Sequence, residues 1–281
     1  MKKGLFTKII TIISLGALIF GVSGCGKSDS SSNSNDKKKE IRVGVSAGPY
    51  NDLFNSVVKP ILEKKGYTIK LVNFSNLLLS EVALTEGSID LNVAQHTAYM
   101  NNFNKEKNAN LLPIVHIPTV PAGIFSDKFK SIKDVKDGAK IAIPKDPSNT
   151  ARAYNLLQKA GWIKLKAGID PMVASKNDII ENPHKLNITL MDSAQIPRAM
   201  KDIDFAVLPG SIVYSSKIDA SKSLLSENIV KNLEITVVVN KGNENSVWSK
   251  DIVVAYKSDE FKKYMKEHNK NNYWVIPDEL K

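Results

Sequence analysis

Short β-branched runs alternate with longer amphipathic stretches from residue 41 onward, and a chain patterned this way can bury its apolar residues only by building α/β layers on largely parallel sheets. Residues 41–45 read as a strand, residues 46–50 as a turn and residues 51–65 as a helix stopped by Gly66. Residues 68–72 then give a second strand, so the opening order is β-α-β. A helix over 77–86 closed by Gly87, a strand over 89–93 and a helix over 97–108 follow. Residues 111–121 are β-branched but broken by Pro113, Pro118 and Pro121, which predicts a strand running out into an extended crossover. A second series begins there: a short helix at 131–135, strands at 140–143, 188–191 and 203–208, a helix at 148–160 before Gly161, and a helical turn at 194–201. Residues 234–239 lead the chain back, and 251–264 read as a helix. Two lobes with separate cores and a cleft between them are implied, which is a preferred place for a small molecule.

The N-terminus is of another kind. Lys2, Lys3 and Lys8 precede an uncharged apolar run over 9–20, the pattern of a signal peptide, and about a dozen residues cannot span ~30 Å of hydrocarbon. Cys25, the sole cysteine, follows Val22, Ser23 and Gly24. That setting predicts cleavage before Cys25 and a lipid on its thiol; two acyl chains would hold the mature chain on a bilayer. Residues 26–39 contain no large apolar side chain and read as a flexible tether. The expected organisation is therefore a signal peptide over 1–24, the lipidated cysteine and tether over 25–39, one lobe over 40–121 plus 235–281, and the other over 122–234.

Removal of residues 1–24 lowers the formal charge from +10 to +7. The excess lysines are interspersed with acids, so no basic groove with interleaved aromatics marks a nucleic-acid surface. His96, His116, His184 and His268 lack metal-ligand spacing, no nucleophile elbow occurs, and no Gly-rich phosphate loop is present. We therefore expect no enzyme, no metal and no cofactor.

Two segments carry candidate binding chemistry. In residues 145–152 an Asp-Pro turn leads into a helix that Ser148 or Asn149 could cap, with Arg152 one turn in. A helix N-terminus beside a forked guanidinium receives a carboxylate well, although a capped helix with a surface arginine reads the same way. In residues 92–99 a strand end delivers His96, with Tyr99 three residues on; a capping or core histidine is the alternative.

Residues 43–49, 90–99, 142–152 and 178–183, in this order and with the segment before Cys25, resemble successive signatures of the NlpA/MetQ family of methionine-binding lipoproteins. The resemblance spans essentially the whole mature chain. It implies a periplasmic-binding-protein fold of two α/β lobes with two crossovers, and a lipid-anchored receptor on the extracytoplasmic face of the cell membrane. Such a monomeric receptor delivers an amino acid to an ABC permease and its ATPase, without nucleic-acid partners. Carried over by position, Arg152 would bind the ligand carboxylate, Asn149 would assist, and His96 and Tyr99 would line the side-chain pocket. The chain departs from the family pattern at Ala94, Val120, residues 207–212 and Ile235, where aromatic or amide side chains are replaced. These departures predict a different or larger ligand than methionine, such as another amino acid or a short peptide, with Ser211 or Glu234 as the partner of its amine. A surface adhesin or envelope interaction protein that has lost solute import is the rival reading.

Overall fold

The computed structural model describes residues 39–270 and 273–281, so the expected signal peptide, Cys25 and most of the tether lie outside the described residues. From β1 (Glu40–Val45) the chain enters α1 (Pro49–Leu53), a π-helical turn (Phe54–Val58) and α2 (Lys59–Lys64). These three form one helical stretch, and the wide turn has a local cause. Pro60 has no N–H for the carbonyl of Ser56, and its ring would crowd that oxygen in a regular α-turn. Gly66, at φ 88°, ends the stretch in a backbone region that a side chain would strain.

Next come β2 (Thr68–Asn73), α3 (Leu77–Thr85), β3 (Leu91–His96), α4 (Thr97–Lys107) and β4 (Leu111–Ile117). The chain continues through β5 (Gly123–Phe125), β6 (Lys140–Pro144), α5 (Pro147–Lys159), β7 (Lys164–Leu165), β8 (Ile179–Glu181) and β9 (Asn187–Met191). It ends with α6 (Ile196–Ala199), β10 (Phe205–Leu208), α7 (Gly210–Ser215), β11 (Leu225–Ser226), β12 (Ile235–Asn240), α8 (Val247–Lys257) and α9 (Asp259–His268).

The strands form two five-stranded sheets, ordered β2-β1-β3-β12-β4 and β11-β5-β10-β6-β9. In the first, β1 runs parallel to β2 and β3, whereas β12 is antiparallel to both β3 and β4. In the second, β6 is parallel to β9 and β10, and β5 is antiparallel to β10 and β11. Each sheet is covered on both faces, which is why β10 is buried along its whole length and β12 nearly so. The helical stretch 49–64 with α8 and α9 packs one face of the first sheet, and α3 with α4 packs the other. In the second lobe α5 packs one face, and α6 with α7 the other.

The chain leaves the first sheet after Ile117 and joins the second at Gly123; it leaves the second after Ser226 and returns at Ile235. Pro113 is tolerated in β4 because that strand is an edge and its pairing with β12 slips a residue there. At the start of α7, a Cβ on Gly210 would lie 2.6 Å from the carbonyl oxygens of Val120 and Pro121, so glycine lets this helix abut the first crossover.

The helix expected over 251–264 is two helices, separated at Ser258, whose hydroxyl accepts from the Phe261 N–H. The strand expected over 89–93 is shifted to Leu91–His96 because Asp90 is engaged by Arg42 instead: its carboxylate accepts from the Arg42 backbone N–H at 2.8 Å and from Nη2 at 2.7 Å.

Candidate functional site

Functional groups meet where the carboxyl ends of β3 and β6 face each other across the lobes, the usual ligand position in open α/β sheets. On the second lobe, α5 is capped by Asp146, not by Ser148 or Asn149: its Oδ1 accepts from the Asn149 N–H at 3.0 Å. Pro147 takes the first helical position, where a missing N–H costs nothing. Asn149 is left free to work with its side chain. Its Nδ2 donates to both Asp146 carboxylate oxygens at 3.0 and 3.2 Å, and its Oδ1 accepts from Arg152 Nη1 at 2.8 Å.

The other edge of Arg152 meets a carboxylate that sequence reasoning did not single out. Nε donates to Glu227 Oε2 at 3.0 Å and Nη2 donates to Glu227 Oε1, a forked pair with side chains 7% and 8% exposed. Glu227 Oε1 also accepts from the Ala122 N–H at 2.6 Å, and the Glu227 N–H donates to the Ala122 carbonyl at 3.0 Å. Burial acts against the Arg152 charge, but Glu227, with help from Tyr50 and Asp146, outweighs it and holds the guanidinium pKa above its ordinary value. Three of the five guanidinium N–H donors are thus engaged among the described residues, and two remain for a ligand oxygen.

The first-lobe wall is built differently. His96 ends β3 and caps α4, its Nδ1 accepting from the Tyr99 N–H at 3.1 Å. That bond assigns the remaining proton to Nε2, a buried donor with no hydrogen-bond partner among the described residues. Burial, and then the positive charge of Arg152, push the imidazole pKa down to about 3, while the nearby Asn149 amide works weakly the other way. His96 is therefore a neutral donor facing Asn149 and Arg152. Its ring meets Tyr99 edge-on, with centroids 6.3 Å apart. Burial raises the Tyr99 phenol pKa, with Asp146 across the cleft and Glu81 in its own lobe adding to the effect.

Beside His96 lies a fully buried polar cluster. Asn92 Nδ2 donates to Ser80 Oγ at 3.1 Å and to Glu81 Oε1 at 2.9 Å, while Gln95 Nε2 donates to Asn92 Oδ1 at 3.3 Å. Among the described residues neither Glu81 Oε2 nor Gln95 Oε1 accepts a hydrogen bond from an N–H. Burial drives the Glu81 carboxyl pKa up to about 8 despite the amides of Gln95 and Asn92, so at neutral pH it is largely protonated.

Arg152, Asn149, His96 and Tyr99 are thus brought together. Glu234 reaches this group through its backbone, whose carbonyl accepts from the Thr97 N–H at 3.4 Å beside His96, whereas Ser211 lies on α7. Ser211 stands on α7 against Gly48, 3.9 Å from where a Cβ of Gly48 would be. Glu234 has its pKa raised by burial, and the charges acting on it belong to His116, Glu279, Asp278 and Lys231. A cavity of about 1150 Å³ is lined by Asp52, Phe125, Tyr214 and Tyr273, where Tyr214 Oη bridges the lobes to Asp52 at 2.7 Å. Neither Arg152 nor His96 lines it, and the chemistry favours the cleft, where the unpartnered groups gather.

The family model for NlpA lipoprotein matches residues 41–277, nearly the whole described chain. The chain belongs to the NlpA lipoprotein family. The D-methionine-binding lipoprotein MetQ of Salmonella typhi is 33% identical over 258 residues, covering 90% of this chain and 93% of that protein. Among solved structures, a nutrient-binding protein from Burkholderia cenocepacia bound to methionine superposes with a TM-score of 0.79 at 35% identity, over 84% of this chain and 99% of that one. A periplasmic substrate-binding protein of an ABC transporter from Coxiella burnetii gives 0.78 at 31% identity, over 84% and 100%. The two-lobed architecture is that of these substrate-binding proteins, and the family is one of receptors, not enzymes. The relatives are lipoproteins of the bacterial envelope, and no helix among the described residues is long and apolar enough to cross a membrane.

Proposed function

We propose that this chain is the lipid-anchored solute receptor of an ABC importer, binding an amino acid or short peptide through its carboxylate and handing it to a permease. Support comes chiefly from one observation: among the described residues, a buried guanidinium with two N–H donors to spare faces a neutral histidine whose Nε2–H has no partner, each on a different lobe. A carboxylate between them would satisfy both and draw the lobes together, coupling binding to closure. Methionine, which the relatives' names point to, is the first ligand to test. The altered residues Ala94 and Val120 leave room for a larger one.

Arg152's attachment to Glu227 favours one rival, an envelope interaction protein whose clamp is satisfied from within. Thermal unfolding of residues 26–281 against L-amino acids and methionine-containing dipeptides separates the two. A ligand at 100 times its Kd adds ~2.7 kcal/mol. That gain should vanish in the double variant Arg152→Met, Glu227→Met, which removes the clamp without stranding a charge. Absence of any stabilisation across the set would favour the rival.

A further inference from the structure

We propose that Asp52 on α1 and Tyr214 on α7 form a latch between the lobes, made when the cleft is shut and broken when it opens, which helps to set how firmly a ligand is held. Its consequence for the ligand rests on the solute-receptor reading; the latch itself does not, and it involves neither Arg152 nor His96.

Tyr214 Oη donates to Asp52 Oδ2 at 2.7 Å, from the second lobe to the first and across 162 residues of sequence. That is the spacing of a hydroxyl on an ionised acceptor, a stronger bond than one between neutral groups. Among the described residues it is the one hydrogen bond that the Asp52 carboxylate accepts. The same bond, ahead of burial, pushes the Tyr214 phenol pKa up to about 12, so the group remains a donor at neutral pH.

Position makes the bond sensitive to lobe motion. The start of α7 is seated against the first crossover, where a Cβ on Gly210 would lie 2.6 Å from Val120 Cγ2 and from the carbonyl oxygens of Val120 and Pro121. Tyr214 stands four residues further on, about 6 Å along the helix axis, and its ring carries the hydroxyl farther still. A rotation of the lobes about the crossovers thus leaves the Gly210 contact nearly in place while it draws Tyr214 Oη away from Asp52. Separation to about 3.6 Å ends a hydrogen bond, so a small opening is enough. Both residues line the cavity of about 1150 Å³, and Tyr214 is 40% exposed, so water takes up each group once they part. The latch therefore tilts the balance between shut and open lobes by a modest factor and stays reversible. A receptor held shut in part by its own side chains asks less of its ligand, and a ligand enclosed by it leaves only after the latch parts.

The test uses residues 26–281, which contain both lobes and no cysteine, with spin labels on Lys70→Cys in β2 and Thr189→Cys in β9. These exposed positions lie on the sheet edges farthest in strand order from the crossovers, where a hinge motion is largest. Pulsed electron paramagnetic resonance, without ligand, should show the ratio of shut to open lobes falling by at least about threefold in Tyr214→Phe and in Asp52→Ala. The double variant should do no more than either single one, as expected of two ends of one bond. With L-methionine as the probe, the Kd should rise about threefold in each variant, through faster release. Distance distributions unchanged by the single variants, or effects that add in the double one, would overturn the inference and leave the receptor reading intact. Failure of L-methionine and of every other amino acid to bind would overturn the receptor reading, while the distances would still decide the latch.

Discussion

The two walls of the cleft bond their polar side chains in different ways. On the second lobe, Asp146, Asn149, Arg152 and Glu227 form an unbroken string of bonds that ends on the backbone of Ala122. On the first lobe, the buried His96 Nε2 has no hydrogen-bond partner among the described residues, beside a carboxyl–amide cluster of Glu81, Asn92 and Gln95. The second-lobe wall is a bonded unit that still has two guanidinium N–H groups to spare, and the first-lobe wall carries a buried imidazole donor, so the two differ in how much of their hydrogen bonding is internal.

The contrast makes its largest prediction at Glu227. Glu227→Ala leaves a buried guanidinium uncompensated and should cost about 3–5 kcal/mol in urea unfolding, whereas Arg152→Met with Glu227→Met should be far milder. A cost below ~1 kcal/mol for the single variant would mean that the second wall is not the integrated unit drawn above. Glu81→Gln should act oppositely. Below pH 4.5 folded and unfolded chains both hold the Glu81 proton, but from there to about 8 the unfolded chain ionises while the folded one does not. Stability due to this group therefore falls as pH rises through that window, and at pH 9 the glutamine variant should be more stable than wild type by about 3 kcal/mol.

His96 supplies the acid-side counterpart. Between its ordinary pKa of 6.5 and about 3 the unfolded chain takes a proton that the folded one refuses, so stability is lost as pH falls. His96→Gln should recover about 2 kcal/mol at pH 4.5, and the wild-type imidazole should show no NMR titration above pH 4.5 in the folded protein. Least is expected of Asp146→Ala. Loss of the cap should cost about 1 kcal/mol by thermal unfolding, and should loosen Asn149 enough to weaken ligand binding as well.

Much of the framework was legible because the alternation of strand and helix is local. Arg152, Asn149, His96 and Tyr99 could be named because they sit at element boundaries that short motifs mark. Asp146 was misread as part of a turn, although Asp followed by Pro is also the signature of an N-cap with proline in the first helical position. The break at Ser258 was hidden because apolar residues continue through it, yet Ser258-Asp259-Glu260 carries the acidic first turn of a new helix. Glu227 left no trace at all: it stands 75 residues from Arg152 in a polar connecting segment, and only the fold reveals their pairing. Glu81 gave a faint one, a lone acid between Ser80 and the apolar run Val82, Ala83, Leu84 on a helix buried against β3.

Glu227 is also the first residue after the second sheet's last strand, and Ala122 is the last before that sheet's first strand. The carboxylate that grips Arg152 is therefore fastened to both segments that join the lobes. Guanidinium and crossover are consequently not separate parts of this molecule: a change in the surroundings of Arg152 is transmitted to Ala122, and a shift of that segment is felt at Arg152. Substitution at this one carboxylate would alter the guanidinium and both crossovers together.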